Sequence, residues 1–174
     1  MGHQMSRNTK IVVAVTAVLI FAAAALAWLN QDSIKKAMPE NGTFLVTAGG
    51  RQYTVSISDF ETMGPYTIDA NYKTNGRAPV QKQYTGVSLK RLFDHLGVDD
   101  SAAARVRFTA ADGYTSALSL SDALDEENCF IVFEENGRPL GTRDSGGSGL
   151  YMMILAKDRF SRRWCKFLLE IAVS

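Results

Sequence analysis

Gly146-Gly-Ser-Gly-Leu-Tyr-Met-Met-Ile-Leu-Ala-Lys-Asp-Arg-Phe-Ser-Arg-Arg-Trp-Cys-Lys166 decides the reading of this chain. A glycine-rich entry leads into an apolar run ending at Leu155. A charged connection follows, then Trp164, Cys165 and a second apolar run over Lys166–Val173. Runs this short, bounded by glycine and charge, are strands of a buried sheet rather than helices. A second stretch, Tyr84-Thr-Gly-Val-Ser-Leu89, has the opposite logic. Ser88 is placed to N-cap a helix whose apolar face is Leu89, Leu92, Phe93 and Leu96, and Gly97 is placed to end it.

Outward from these two stretches the chain is strand-rich. Thr43–Thr47 and the alternating Tyr53, Val55 and Ile57 read as a hairpin turned at Gly49-Gly50. Ser58 or Asp59 can cap a short helical turn before Pro65, and Tyr66–Tyr72 is again extended. Asn75–Pro79 is a loop. Arg105–Ala110 alternates basic and apolar residues and turns at Asp112-Gly113. Ser121 starts a short helix with Ala123 and Leu124 inward, Cys129–Phe133 is a buried strand, and Asn136-Gly137 is a tight turn. Many short strands with a few short helices define an α+β domain, mainly β.

Residues 11–29 carry no charge. As a helix they rise about 28 Å, close to the hydrocarbon thickness of a bilayer. Arg7 and Lys10 precede them, which favours a cytoplasmic N-terminus, and Trp28 suits the far interface. Ala25-Leu26-Ala27 also fits a signal-peptide cleavage site, although the apolar run is longer than the usual one. The expectation is a cytoplasmic tail over 1–10, a transmembrane signal anchor over 11–29, a linker over 30–40, and an exported domain, periplasmic or extracellular, over 41–174. That domain has 134 residues, with 15 basic and 16 acidic side chains. The size suits one core; the absent basic excess argues against a nucleic-acid partner.

The two quoted stretches, with Asp112-Gly113-Tyr114 between them, resemble the molybdopterin-binding domain of sulfite-oxidase-type oxidoreductases. Gly149, Tyr151, the Met153–Leu155 strand, Arg163, Trp164 and Lys166 match the C-terminal pattern of that family. The resemblance implies its fold and, in its active members, oxidoreduction with a molybdenum cofactor. It also implies a metal-binding cysteine in the strand before Tyr84, near Asp69-Ala70-Asn71, and a phosphate-binding arginine at position 152. This chain has no cysteine between Met1 and Asn128, and position 152 is methionine. Leu150 and Ala156 stand where the family has prolines. A methionine cannot replace the planar donor fork of a guanidinium.

These departures set the functional expectation. The exported domain is read as a binding or redox-accessory module on this fold, with no molybdenum centre and no cofactor of its own expected. An active molybdopterin-dependent oxidoreductase is the alternative. Tyr84, Asp112, Tyr114, Arg143, Ser145, Gly146, Gly147 and Tyr151 are the cofactor-binding or cleft candidates; no catalytic residue and no metal ligand is assigned. The glycine run from Ser145 reads either as an anion-binding backbone nest or as a plain connection. The expected partners are the membrane, through 11–29, and either a membrane redox partner or a small anionic ligand.

Two other patterns stay open. Cys129 and Cys165, both on the exported side, can form a disulfide or stand as buried thiols. Asp144-Ser145-Gly146-Gly147 is similar to the nucleophile segment of trypsin-like serine proteases, and His95, Asp112 and Ser145 follow that family's order. The second barrel such a protease needs does not fit in this length, and His95 falls late in an amphipathic helix, so the protease is the remote alternative.

Overall fold

The computed structural model describes Val13, residues 16–22 and Ala25 of the N-terminal segment, and residues 42–73, Gly76 and 78–174 of the remainder. The chain divides into two compact units, Met1–Met38 and Pro39–Ser174. In the first, the described residues are helical. Among the described residues no helix is long and apolar enough to cross a membrane. The expected tail, most of the expected anchor and the linker lie outside the described residues.

The second unit is built on two five-stranded sheets. In the first, β1 (Phe44–Ala48) pairs antiparallel with β2 (Arg51–Val55) and parallel with β10 (Leu168–Val173). The sheet continues through β5 (Arg105–Ala110) to β6 (Thr115–Ser119), both pairings antiparallel. In the second, β3 (Tyr66–Tyr72), β4 (Val80–Ser88) and β7 (Cys129–Glu135) run antiparallel in that order. The far edge of β7 is shared end to end by β8 (Arg138–Pro139) and β9 (Met152–Leu155). Cys165 then bridges to Met153 on the outer side of β9.

Burial follows the alternation expected of sheets with one wet face. Phe44, Val46 and Ala48 of β1 are buried, as are Val106, Phe108 and Ala110 of β5. All four residues of β9 are buried, as the apolar run at Met152–Leu155 requires. Tyr151 packs in an aromatic group with Phe44 and Phe60, at centroid distances of 4.9 and 5.5 Å.

Helix α1 (Ile57–Met63) differs from the sequence expectation at its start. Ser56, not Ser58 or Asp59, is the cap, and the Asp59 carboxylate reaches back to accept from the Ser56 N–H and Oγ, each at 2.7 Å. Those bonds hold the Asp59 carboxyl below its usual range. Ile57, expected inward on a strand, is therefore an exposed helix residue. Helix α2 (Leu89–Leu96) matches its reading: Ser88 Oγ accepts from Arg91 N–H at 3.2 Å, Leu89, Leu92 and Phe93 are buried, and Gly97 ends it with φ of 62°. The short α3 (Leu120–Ala123) is capped by Ser119 and not by Ser121.

The disulfide is not formed: Cys129 and Cys165 are free, buried thiols. Register gives the reason. Cys129 pairs with Leu155 on one side of β9, and Cys165 pairs with Met153 on its other side. Two strand spacings, roughly 9–10 Å, separate them laterally. A disulfide needs Cα atoms within about 7 Å.

Candidate functional site

The second sheet creates the site by placing two tyrosines, a lysine, an arginine and a glutamate around one concavity, to which the C-terminal stretch adds a second lysine. Tyr66 to Tyr72 lie opposite Gly86 to Val80, so Ala70 faces Lys82 and Ile68 faces Tyr84 across the β3–β4 pair. Directly opposed and alternate residues share a sheet face. Tyr84 in turn faces Glu135 across the β4–β7 pair, after a register shift between Thr85 and Gly86. The result is a cleft of about 740 Å³, lined from β4 by Lys82 and Tyr84, from β7 by Glu135, and from the C-terminal stretch by Met152 and Lys166. Tyr72 of β3 and Arg138 of β8 also line it, and the Gly141–Ser148 segment closes one side.

Charge in the cleft is cationic on balance: Lys82, Arg138 and Lys166 against Glu135 among the described lining residues. Lys82 Nζ donates to Glu135 Oε1 at 2.6 Å. Lys166 Nζ donates to the Tyr72 hydroxyl at 3.3 Å. Both ammonium groups also lie over the Tyr72 ring, at 4.6 and 5.2 Å, where a ring quadrupole attracts cations. Trp164 packs behind both phenols, 5.9 Å from Tyr72 and 5.6 Å from Tyr84 between centroids, and its indole N–H donates to the Leu155 carbonyl at 3.2 Å. Burial, and then the Glu135 carboxylate, push the Tyr84 phenol well above the ordinary tyrosine range.

The glycine run is a hydrogen-bonded double turn and not a nest. The N–H groups of Gly146, Gly147, Ser148 and Gly149 donate to the carbonyls of Arg143, Thr142, Leu140 and Gly141. Backbone donors spent in this way cannot also converge on an anion. Gly147 is required by the close approach: a Cβ there would lie 2.3 Å from the Gly141 carbonyl carbon.

Of the residues singled out from sequence, the cleft gathers Tyr84, Ser145, Gly146 and Gly147. Four others lie elsewhere. The Tyr151 hydroxyl donates to the Gly42 carbonyl at 2.8 Å from within the aromatic core. Tyr114 donates to the Arg162 carbonyl at 2.8 Å. Arg143 pairs with Asp112 at 3.6 Å on the surface and covers the Phe167 ring. Sequence reading missed Tyr72, Lys82, Glu135 and Arg138. Their only advance signal was the alternation of Lys82 with Tyr84 along one strand.

Ser145 is not a protease nucleophile. Its Oγ donates to the Thr142 carbonyl at 2.9 Å, Asp112 is paired with Arg143, and His95 lies in the last turn of α2. A triad needs the imidazole between serine and carboxylate.

This fold and this cleft define a class, and sequence comparison names it. The model of the oxidoreductase molybdopterin binding domain matches residues 33–174, so the chain belongs to that family. The solved structure of the sulfane dehydrogenase SoxCD from Paracoccus pantotrophus is similar in fold, with 14% identity and a TM-score of 0.61. The alignment covers 75% of this chain and 37% of that one, so this chain spans little more than a third of that protein's length. No curated protein matches significantly.

The family binds molybdopterin, and the residues present meet its two needs unequally. Among Asp69, Ala70 and Asn71, the buried residue is Ala70, opposite Lys82; it offers no thiolate. Met152 lines the cleft where a guanidinium was expected. Among the described residues no group of three His, Cys, Asp or Glu side chains converges as a metal site. Burial pushes the Cys165 thiol up to about 12 and the Cys129 thiol higher still, so neither is a ready thiolate. These residues do not fit a thiolate-held metal. The lysines and tyrosines do fit an organic anion.

Proposed function

We propose that this chain is a membrane-anchored, extracytoplasmic binding or redox-accessory domain on the molybdopterin-binding fold, without a molybdenum centre of its own. The observation that carries the reading is a pair of departures: no cysteine near Asp69-Ala70-Asn71, where the thiolate is expected, and Met152 in the cleft wall where a phosphate-binding guanidinium is expected. An enzyme that used the metal would need both functions supplied from elsewhere. A binding module needs only a cleft with suitable charge, and Lys82, Lys166 and Arg138 supply it.

The uncharged run at 11–29 and the flanking Arg7 and Lys10 support the anchor and its orientation. The cationic lining favours a small anionic ligand over a protein redox partner as the occupant of the cleft. The second reading, an active molybdopterin-dependent oxidoreductase, is favoured by the family match over residues 33–174.

Expression of the full chain in cells unable to make the molybdenum cofactor separates the two. A binding module folds there and unfolds cooperatively. Loss of cooperative unfolding, restored when the cofactor pathway is restored, would overturn the proposal.

A further inference from the structure

One polar atom of the cleft is left unsatisfied by the fold. Tyr84 is 1% exposed, and its hydroxyl is the one buried side-chain nitrogen or oxygen among the described residues that has no hydrogen-bond partner. An unmade bond at a buried hydroxyl carries its full desolvation penalty, so native proteins rarely retain one without a use. Glu135 is the nearby acceptor, and its carboxylate is held by Lys82 at 2.6 Å. Burial first, and then Glu135 by its charge and its nearness as an acceptor, raise the phenol, but no acceptor meets the hydroxyl in hydrogen-bonding geometry. The ring is fixed by Trp164, which meets it edge-on.

The neighbouring groups call for the same missing partner. Lys82 and Lys166 are both gathered over the Tyr72 ring, and one carboxylate, Glu135, lies among the described cleft residues. Lys166 donates to the Tyr72 hydroxyl, which leaves further ammonium protons to give, since a lysine carries three. Donors and positive charge exceed acceptors and negative charge on this wall.

We propose that the cleft is an oxyanion site, in which a carboxylate or phosphate group of an organic ligand accepts from the Tyr84 hydroxyl and is neutralised by Lys166, with Lys82 and Arg138 flanking it. This inference rests on the reading of the cleft as a ligand site without molybdenum and names the ligand's chemistry. A neutral ligand would leave the surplus positive charge, Lys166 and Arg138 beyond the Lys82–Glu135 pair, without a counter-charge among the described lining residues. A bare metal ion would meet ammonium groups and a protonated phenol, which are donors and not ligands. The volume of about 740 Å³ exceeds that of a lone oxyanion and lies within the usual range of small-molecule sites, roughly 300–1,000 Å³. The oxyanion therefore belongs to a larger organic body, which would pack on Leu140, Pro139 and Met152.

The full chain in detergent would be titrated with benzoate, benzyl phosphate and benzyl alcohol, by ligand-detected NMR at millimolar concentration. One or both anions should bind, and benzyl alcohol should bind about tenfold more weakly, the equivalent of one charge-assisted hydrogen bond. The stronger of the two anions distinguishes a carboxylate from a phosphate ligand. Tyr84→Phe and Lys166→Gln should each weaken the anion by a similar factor. Ligand-free Tyr84→Phe should unfold at the same temperature as the parent or higher, because it removes the orphaned hydroxyl. Equal binding of benzyl alcohol, no binding of any probe, or anion affinity unchanged in both variants would overturn the proposal. So would a ligand-free Tyr84→Phe that is clearly less stable, since the hydroxyl would then have an internal acceptor. Stoichiometric molybdenum in the same preparation would sink the underlying reading; a metal-free chain that ignores the probes would sink this inference alone.

Discussion

Trp164 meets Tyr84 edge-on, with ring centroids 5.6 Å apart and planes at 82°. The two residues come from the two stretches that give the sequence its character. Trp164 also packs on Tyr72 and is tied to β9 through the Leu155 carbonyl. The tryptophan of the C-terminal stretch is thus a prop for both phenols of the cleft, and folding of that stretch and shaping of the site are one event.

Trp164→Ala should therefore remove stability and site together. Truncating a buried tryptophan costs about 3–5 kcal/mol, and the anion affinity of the cleft should fall with it. Trp164→Phe, which keeps a ring, should lose less of both. Urea unfolding of the two variants, alongside the anion titration, checks the coupling. Full anion affinity in a folded Trp164→Ala protein would show that the prop is not needed.

Two glycines should prove intolerant of a single methyl group. A Cβ on Gly86 would lie 2.2 Å from the Ile131 carbonyl oxygen, at the register shift between β4 and β7. On Gly147 it would meet backbone atoms of Leu140 and Gly141 at 2.3–2.4 Å. Backbone cannot give way as a side-chain end can, so each alanine should cost about 1–3 kcal/mol or more. Gly50→Ala is the control: nothing lies within 4 Å, and the cost is its positive φ alone, about 1–2 kcal/mol.

The thiols give a pH prediction with a definite sign. The unfolded chain loses cysteine protons near 9.0, whereas burial pushes folded Cys165 up to about 12 and folded Cys129 higher. Burial likewise pushes the Tyr151 phenol up to about 12. Groups raised in this way contribute stability that is fully present below the unfolded pKa. It is lost as pH climbs from there through the folded values. Unfolding free energy should hold steady to about pH 8.5 and decline above about pH 9. At neutral pH maleimide should label neither cysteine in the native protein and both in urea. A Cys129–Cys165 cross-linked peptide would contradict the free-thiol arrangement.

Arg143→Ala should be nearly silent. Its partner Asp112 is 3.6 Å away and both side chains are exposed; such pairs contribute at most about 1 kcal/mol. Anion affinity should not change, in contrast to Lys166→Gln. A loss of affinity in Arg143→Ala comparable to that in Lys166→Gln would move the site to the Asp112–Arg143 surface.

What could be read in advance was whatever local chemistry determines. The Ser88 and Gly97 caps set the ends of α2, the apolar runs located β7 and β9, and the residues Tyr66–Tyr72 formed a strand as read. The site was only half visible, because it depends on cross-strand register. Tyr84 meets Glu135 because of a register shift at Gly86, and no spacing along the chain announces it. Tyr151 and Tyr84 look alike in sequence, yet one hydroxyl is satisfied by Gly42 and the other by nothing in the fold. The state of the cysteines stayed open between disulfide and buried thiols for the same reason: the strand that intervenes between them shows only in the register.

The central claim is that this member of the molybdopterin-binding family works without its own molybdenum. The direct measurement is molybdenum and pterin content of the full chain, purified in detergent from cells that make the cofactor. The account predicts a folded protein with both at background level. One molybdenum and one pterin per chain, surviving purification, would contradict it.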